Sequence, residues 1–302
     1  MPASLRELRQ RRKSVTATKK ITRAMELIAS SRIIKAQQAA ARALPFTREL
    51  NRAVSAVANK SHLDHPLTRD VTDPKRVAVL FITSDRGMNG AYSSNVIKTV
   101  AAFRQRAEEE GRELFRYVVG RKGIGYLNYR NIPITAHWEG FSDAPTYDRA
   151  VEIADRLLED FLKPTEEGGV DEIWAVYTRM ESMLTQTPRV RRLLPLEVVE
   201  GVTAADPEHP EPLYLFEPDP ETVLDALLPL YVRSRIWFYL LQSAASQLAN
   251  QQRAMKSATD NAQQLIERLT REANQARQAE ITQEISEIVG GAGALADLTE
   301  NE

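Results

Sequence analysis

Residues 3–57 contain one proline and no glycine, and residues 222–289 again contain one proline and no glycine. Those two residue types interrupt helices most strongly, so stretches this long without them predict two terminal helices of unusual length. Everything in the chain that reads as strand lies between them. Two long terminal helices around one α/β insert describe a rod that carries a globular foot. Such an element serves mechanics or assembly before chemistry, so the identity of what it touches becomes the first question.

The helix patterns support this reading. Ser4 is placed to cap the first helix, with Glu7 three residues later, as in a capping box. Leu8, Val15, Thr22, Ala29, Ala36 and Ala43 recur every seven residues, and Met25 and Ile28 add to that side. The small residues in this row let a partner helix approach closely. Pro45 removes one backbone bond and is expected to kink the helix. The last helix should start at Asp219-Pro220-Glu221, with Asp219 as cap, and should bend at Pro229. Leu248, Met255, Ala262, Leu269 and Ala276 form one of its rows, and Ala244, Gln251, Ala258 and Leu265 the other. Gly290-Gly291 is expected to stop it. At about 1.5 Å per residue the two helices measure roughly 80 and 105 Å. Wound antiparallel into one coiled coil, the longer one overhangs, and its overhang carries Ile285, Ile288, Val289 and Leu295 as an apolar tip.

Between the helices, strands and helices alternate. Strands are expected at 76–83, 114–119, 132–138, 172–178 and 188–196, with a further extended piece at 213–216. Helices are expected at 95–110, 121–129 and 147–162. The run RVAVLFIT is apolar throughout, as a buried parallel strand requires. This order predicts an open, mostly parallel α/β sheet. The domains are then 1–60 (first helix), 74–217 (α/β foot) and 218–302 (last helix).

Composition narrows the function. Formal net charge is −1, yet residues 1–60 hold 14 Lys/Arg against Glu7, Glu26 and Glu49. A basic arm on a nearly neutral protein points to an acidic partner. Nucleic acid is one candidate, but the arm has no aromatic residue before Phe46 to stack on bases. There is no cysteine, which excludes disulfides and thiolate metal sites. His62, His65, His137 and His209 show no metal spacing. No apolar run is long enough to span a bilayer. The loop Ser84–Gly90 follows the first strand where a nucleotide fold keeps its phosphate loop, but its spacing is G-x-x-G rather than G-x-G-x-x-G. A sharp turn is the expectation there. No catalytic grouping stands out, and no cofactor is expected.

Four segments carry a family resemblance. TKKITRAMELIASSR at 18–32 closely resembles the N-terminal signature of the ATP synthase gamma subunit, the central shaft of the F1 motor. AMKSATDNA at 254–262 and RQAEITQEISEIV at 277–289 resemble its C-terminal signature, and 84–95 resembles its G-L-C-G-x-x-N loop. The resemblance spans the chain in order. It implies an antiparallel coiled coil of the termini with an inserted Rossmann-like open α/β domain that binds no nucleotide. It further implies a non-catalytic rotor inside a ring of three alpha and three beta subunits, turning with the membrane c-ring under proton flow. Epsilon would pack on the foot, nucleic acid is not a partner, and membrane association comes only through the c-ring assembly, at the cytoplasmic face of a bacterial membrane.

Carried over by motif, Lys20, Arg23 and Met25 would face an acidic lever loop of beta, with Asn89, at a position where the family has Cys, near the same loop. Arg9, Arg11, Arg12, Lys13, Lys19 and Arg32 would add to the basic surface. Gln278, Thr282 and Glu284 would meet a beta catch loop. Gln251 stands where the family pattern has Arg, and Arg253 offers a neighbouring cation. Ile285, Ile288, Val289 and Leu295 would turn in an apolar sleeve of the hexamer, and Phe216 and Glu217 would rest on the c-ring. Without the resemblance, the residues also admit a dimeric α/β ligand-binding protein with helical arms, or a basic coiled coil that binds nucleic acid.

Overall fold

A computed structural model describes residues 4–60, 66–69, 71–196 and 217–299. Two long helices, α1 (Leu5–Lys60, 56 residues) and α5 (Pro220–Thr299, 80 residues), bracket a five-stranded sheet and three helices. In chain order these are β1 (Arg76–Ile82), α2 (Tyr92–Glu109), β2 (Glu113–Val119), α3 (Arg121–Tyr129), β3 (Ala136–Trp138), α4 (Tyr147–Leu162), β4 (Glu172–Met180) and β5 (Gln186–Leu194).

The sheet order is β3-β2-β1-β4-β5. β1 pairs in parallel with β2 and β4, β2 pairs in parallel with β3, and β5 adds antiparallel to β4. β1 lies in the middle, and Val77 to Ile82 are all buried, which is what its unbroken apolar run requires. Strand alternation sorts the side chains to two faces. Val77, Val79 and Phe81 meet Val96 and Val100 of α2 and Leu127 of α3. Ala78, Leu80 and Ile82 meet Ile153 and Leu157 of α4 and Leu228, Val232 and Ile236 of α5. The result is the open, mostly parallel α/β sheet expected, with an antiparallel edge.

The chain divides into two compact units, one of residues 1–28 with 252–302 and the other of 29–251. In the first, Leu8 packs with Leu269 and Ala273, and Leu5, Val15, Leu265 and Ala276 close around them. Lys19 Nζ donates to Gln263 Oε1 at 2.5 Å, and the Thr22 and Thr259 hydroxyls meet at 2.8 Å. Positions rising in α1 therefore meet positions falling in α5, an antiparallel pairing. In the second unit, Ile33 packs with Leu248 and Ala249, and the Thr47 and Ser234 hydroxyls meet at 3.1 Å, again antiparallel. The predicted rows are the rows that bury: Leu8, Thr22 and Ala29 on α1, and Leu248, Met255, Ala262 and Leu269 on α5. Each buried Leu in such a seam contributes about 1.5–3 kcal/mol. A buried hydroxyl in it needs a partner, which the Thr–Thr and Thr–Ser pairs supply.

The caps form as read. Ser4 N–H donates to Glu7 Oε2 at 3.0 Å while Glu7 N–H donates to Ser4 Oγ at 3.3 Å. Thr222 N–H donates to Asp219 Oδ1 at 2.9 Å, with Pro220 opening the helix. Pro45 and Pro229 lie inside their helices, each without the N–H that would bond Ala41 or Asp225.

Two expectations change. Gly290-Gly291 does not end α5, which runs on to Thr299. Glycine in a helix costs only about 1 kcal/mol each, and the alanines at 292, 294 and 296 favour continuation. The third strand shrinks from 132–138 to Ala136–Trp138. Asn131 takes a positive φ of 54° and Pro133 has no N–H to give a ladder, so the segment enters the sheet late. The extended piece expected at 213–216 lies outside the described residues.

Candidate functional site: the exposed faces of the helix pair and the loop after β1

In the unit formed by residues 1–28 and 252–302, the seam consumes one face of α1 and leaves another bare. Lys20 and Arg23 are exposed and Met25 is half-buried. Spaced by three, Lys20 and Arg23 share a face. Arg23 Nη1 also holds the buried Glu26 carboxylate at 2.8 Å. Of the other cations, Arg9, Arg11 and Lys13 are exposed, Arg12 is half-buried, and Lys19 turns inward to Gln263. Arg32, in the other unit, is tied to Asp143 Oδ2 at 2.7 Å.

Sequence reasoning missed part of this face. Ile21, Leu27 and Ile28 are all more than half exposed, so Lys20 and Arg23 sit among bare apolar side chains. Ile28, expected on the seam side, is instead exposed: it stands one residue before Ala29, as Ile21 stands one before Thr22, and both fall off the buried row. A surface of cations set among large apolar groups suits an acidic partner that also packs.

The far part of α5 has no partner helix among the described residues. Beyond Ala276, every residue from Arg277 to Gly290 is exposed. Gln278, Thr282 and Glu284 stand there, with the Thr282 hydroxyl donating to its own helix at Gln278 O (2.9 Å). Ile285, Ile288 and Val289 are 56%, 71% and 64% exposed, and with Ile281 they make one stripe at helical spacing. The Leu295 side chain lies outside the described residues. Gln251 is half-buried and Arg253 exposed. Glu217 is exposed, and Phe216 lies outside the described residues.

In the sheet-bearing unit the loop after β1 is tightly held. Asp85 Oδ2 accepts Ser142 N–H at 2.9 Å, Oδ1 accepts the Arg121 N–H at 3.2 Å, and Asp85 N–H donates to Ser142 Oγ at 2.8 Å. Partial burial works against the ionised carboxylate, but these backbone and hydroxyl donors outweigh it and hold its pKa below the ordinary 3.8. Arg121 is the first residue of α3. A carboxylate from the loop after β1 thus accepts a backbone donor at the start of α3, while the helix that directly follows this loop is α2. The Ser84 and Ser93 hydroxyls are hydrogen-bonded at 2.7 Å. Asn89 is buried and its amide donates to Arg86 O at 3.2 Å, so its side chain shapes the loop from within. Met88, with φ of 64° and 57% exposed, faces outward from the loop together with Arg86.

The chain is similar to known proteins over most of its length. A family model described as ATP synthase matches residues 4–295. The chain is 60% identical to an ATP synthase gamma chain of Cutibacterium acnes, covering 98% of each, and 58% identical to one of Nocardioides, also covering 98% of each. Among solved structures, it resembles a chain of the Euglena gracilis mitochondrial ATP synthase, with a TM-score of 0.65 at 15% identity over 96% of this chain and 94% of that one. It also resembles a chain of the Tetrahymena thermophila central stalk and c-ring, with a TM-score of 0.56 at 22% identity over 79% and 99%. These two likenesses concern the fold.

Proposed function

The chain belongs to the ATP synthase gamma-chain family, and from that premise we infer how its surfaces carry out the family's task. It is the central rotor shaft of the synthase, working with the alpha and beta subunits, epsilon and the c-ring. It couples rotation of the ring to the conformational cycle of the beta sites. It is part of a membrane-bound complex, and no helix among its described residues is long and apolar enough to cross a membrane. Its place at the cytoplasmic face, reached through the c-ring alone, is our reading.

The observation that carries the assignment of surfaces is the division of α5. From Leu248 to Ala276 one of its faces packs on α1, and from Arg277 to Gly290 it is exposed. A shaft needs a stiff paired portion and a portion that another protein encloses. We assign residues 1–60 and 218–302 to the shaft and 74–217 to the foot, where epsilon packs and where Phe216 and Glu217 meet the c-ring. The bare stripe of Ile285, Ile288 and Val289, with Leu295 beyond it in sequence, turns within an apolar sleeve. An uncharged surface suits it, because it has no strong electrostatic preference for one angle. Gln278, Thr282 and Glu284, one stretch lower, meet a beta loop through polar contacts.

Lys20 and Arg23, with Met25, meet an acidic loop of beta. Arg23 divides its charge between Glu26 and that loop, while the bare Ile21, Leu27 and Ile28 add packing. An asymmetric surface of this kind binds the beta conformers unequally as it turns, and unequal binding shifts their populations. Asn89 contributes indirectly, by shaping the loop that presents Met88. The chain itself is non-catalytic in this reading.

Mixing the purified chain with alpha and beta tests the assignment. A stable complex whose ATPase activity depends on this chain is expected. A well-behaved dimer of the chain that binds nucleotide and ignores alpha and beta would refute it.

A further inference from the structure

Strand alternation places Leu114, Arg116 and Val118 of β2 on the sheet face covered by α2 and α3. Leu114 and Val118 are core residues of that face, so Arg116 stands in an apolar row where a charge is expensive. It lines a cleft of about 80 Å³ between α2 and α3. Val100, Leu127 and Ile132 supply apolar wall, and Arg104 and Arg130 stand with Arg116 around it.

The three guanidiniums are poorly compensated. Arg104 Nε reaches Glu108 Oε1 only at 3.6 Å. Arg116 donates to the carbonyl of Leu114 at 3.2 Å. Arg130 lies over the Tyr126 ring at 5.1 Å. No other ion pair to these three is present among the described residues.

We propose that this cleft binds a short-chain carboxylate, with its carboxyl group on the arginines and its alkyl chain against Val100, Leu127 and Ile132. Arginine's planar fork matches a carboxylate in a bidentate pair. The apolar wall selects an anion with a hydrocarbon body over a bare oxyanion. The volume sets the length: drug-sized ligands take roughly 300–1,000 Å³, so a nucleotide does not fit and a chain of a few carbons does. Burial, reinforced by the neighbouring Arg104, works against the Arg116 charge, and a bound carboxylate offsets that cost by pairing with it. The site is separate from the helix faces and the loop assigned to the rotor.

The test titrates carboxyl-labelled hexanoate into the complex of the full chain with alpha and beta, reading the carbon-13 line of the carboxylate. The comparison arms are inorganic phosphate, which has the charge without the body, and 1-hexanol, which has the body without the charge. Hexanoate should saturate. Arg130→Gln, an exposed change that leaves the core untouched, and Arg116→Lys, which keeps the charge but loses the fork, should each weaken it by about tenfold or more. Phosphate and hexanol should each compete at least tenfold less well. Hexanoate that never saturates, or that binds both variants unchanged, overturns the proposal. So does phosphate that competes as well as hexanoate. If hexanoate is excluded and Arg130→Gln instead loosens epsilon, the cleft receives an acidic side chain of a partner and the small-molecule reading fails.

Discussion

Thr22 and Thr259 illustrate how a small polar pair belongs in an otherwise apolar seam. Each hydroxyl is buried, and each satisfies the other at 2.8 Å. Thr22→Val removes one partner, while Thr259 keeps its bond to Met255 O at 2.8 Å. The cost should be about 1 kcal/mol, readable as a lower urea midpoint of the chain. Gly120 is less forgiving. Its φ is +96°, and an added Cβ would stand 2.4 Å from the Thr83 carbonyl oxygen. Gly120→Ala should therefore cost about 3 kcal/mol in the same measurement, since left-handed strain adds to a backbone clash. Asp85 makes the loop after β1 sensitive to acid. Its pKa is lower folded than the ordinary 3.8, so its contribution is complete above about pH 4 and is lost as pH falls through the folded value. Hydrogen exchange at the Ser142 and Arg121 amides, corrected for intrinsic rates, should accelerate below that pH. In Asp85→Asn the amides should be exposed at every pH, with no acid step.

At the level of elements, the sequence was readable wherever one period dominated. The helices at 121–129 and 147–162 and the strand from Arg76 follow directly from their apolar spacing. β3 was overestimated because Ile132 and Ile134 look like strand, and they are indeed packed against the core, but Asn131 and Pro133 hold them outside the ladder. The end of α5 was misplaced because Gly290-Gly291 was weighed without the alanines that follow. Asn89 could not be placed from its motif, since nothing local says whether an amide in a turn faces in or out. The bare tail of α5 gives the prediction at this scale. Truncation after Gln283 should leave the sheet-bearing unit's circular dichroism and melting intact, because its core draws on α5 only up to Leu248 and Ala249. Assembly with alpha and beta should weaken at the same time. Loss of the folded sheet on truncation would contradict this division.

At the scale of the molecule, the charge asymmetry acquires a role. The basic bias lies in the first 60 residues, and after Lys19 and Arg32 are committed to internal partners, Arg9, Arg11, Lys13 and Lys20 still face outward, with Arg23 exposed beside Glu26. Lys20→Glu with Arg23→Glu should reduce proton pumping per ATP hydrolysed more than it reduces recovery of the assembled complex. Equal loss of both would make these residues assembly contacts. What periodicity established was an antiparallel helix pair and an inserted sheet. Rotation came from family membership, because a static surface carries no record of turning.

Rotation is therefore the claim to measure. The chain contains no cysteine, so Tyr129→Cys, at an 87% exposed position on α3, provides a single thiol for a bead or gold particle. With alpha and beta fixed to a surface and ATP supplied, the probe should turn in one direction through three repeated dwells per revolution. ATP hydrolysis at full rate with a stationary or randomly moving probe would contradict the account.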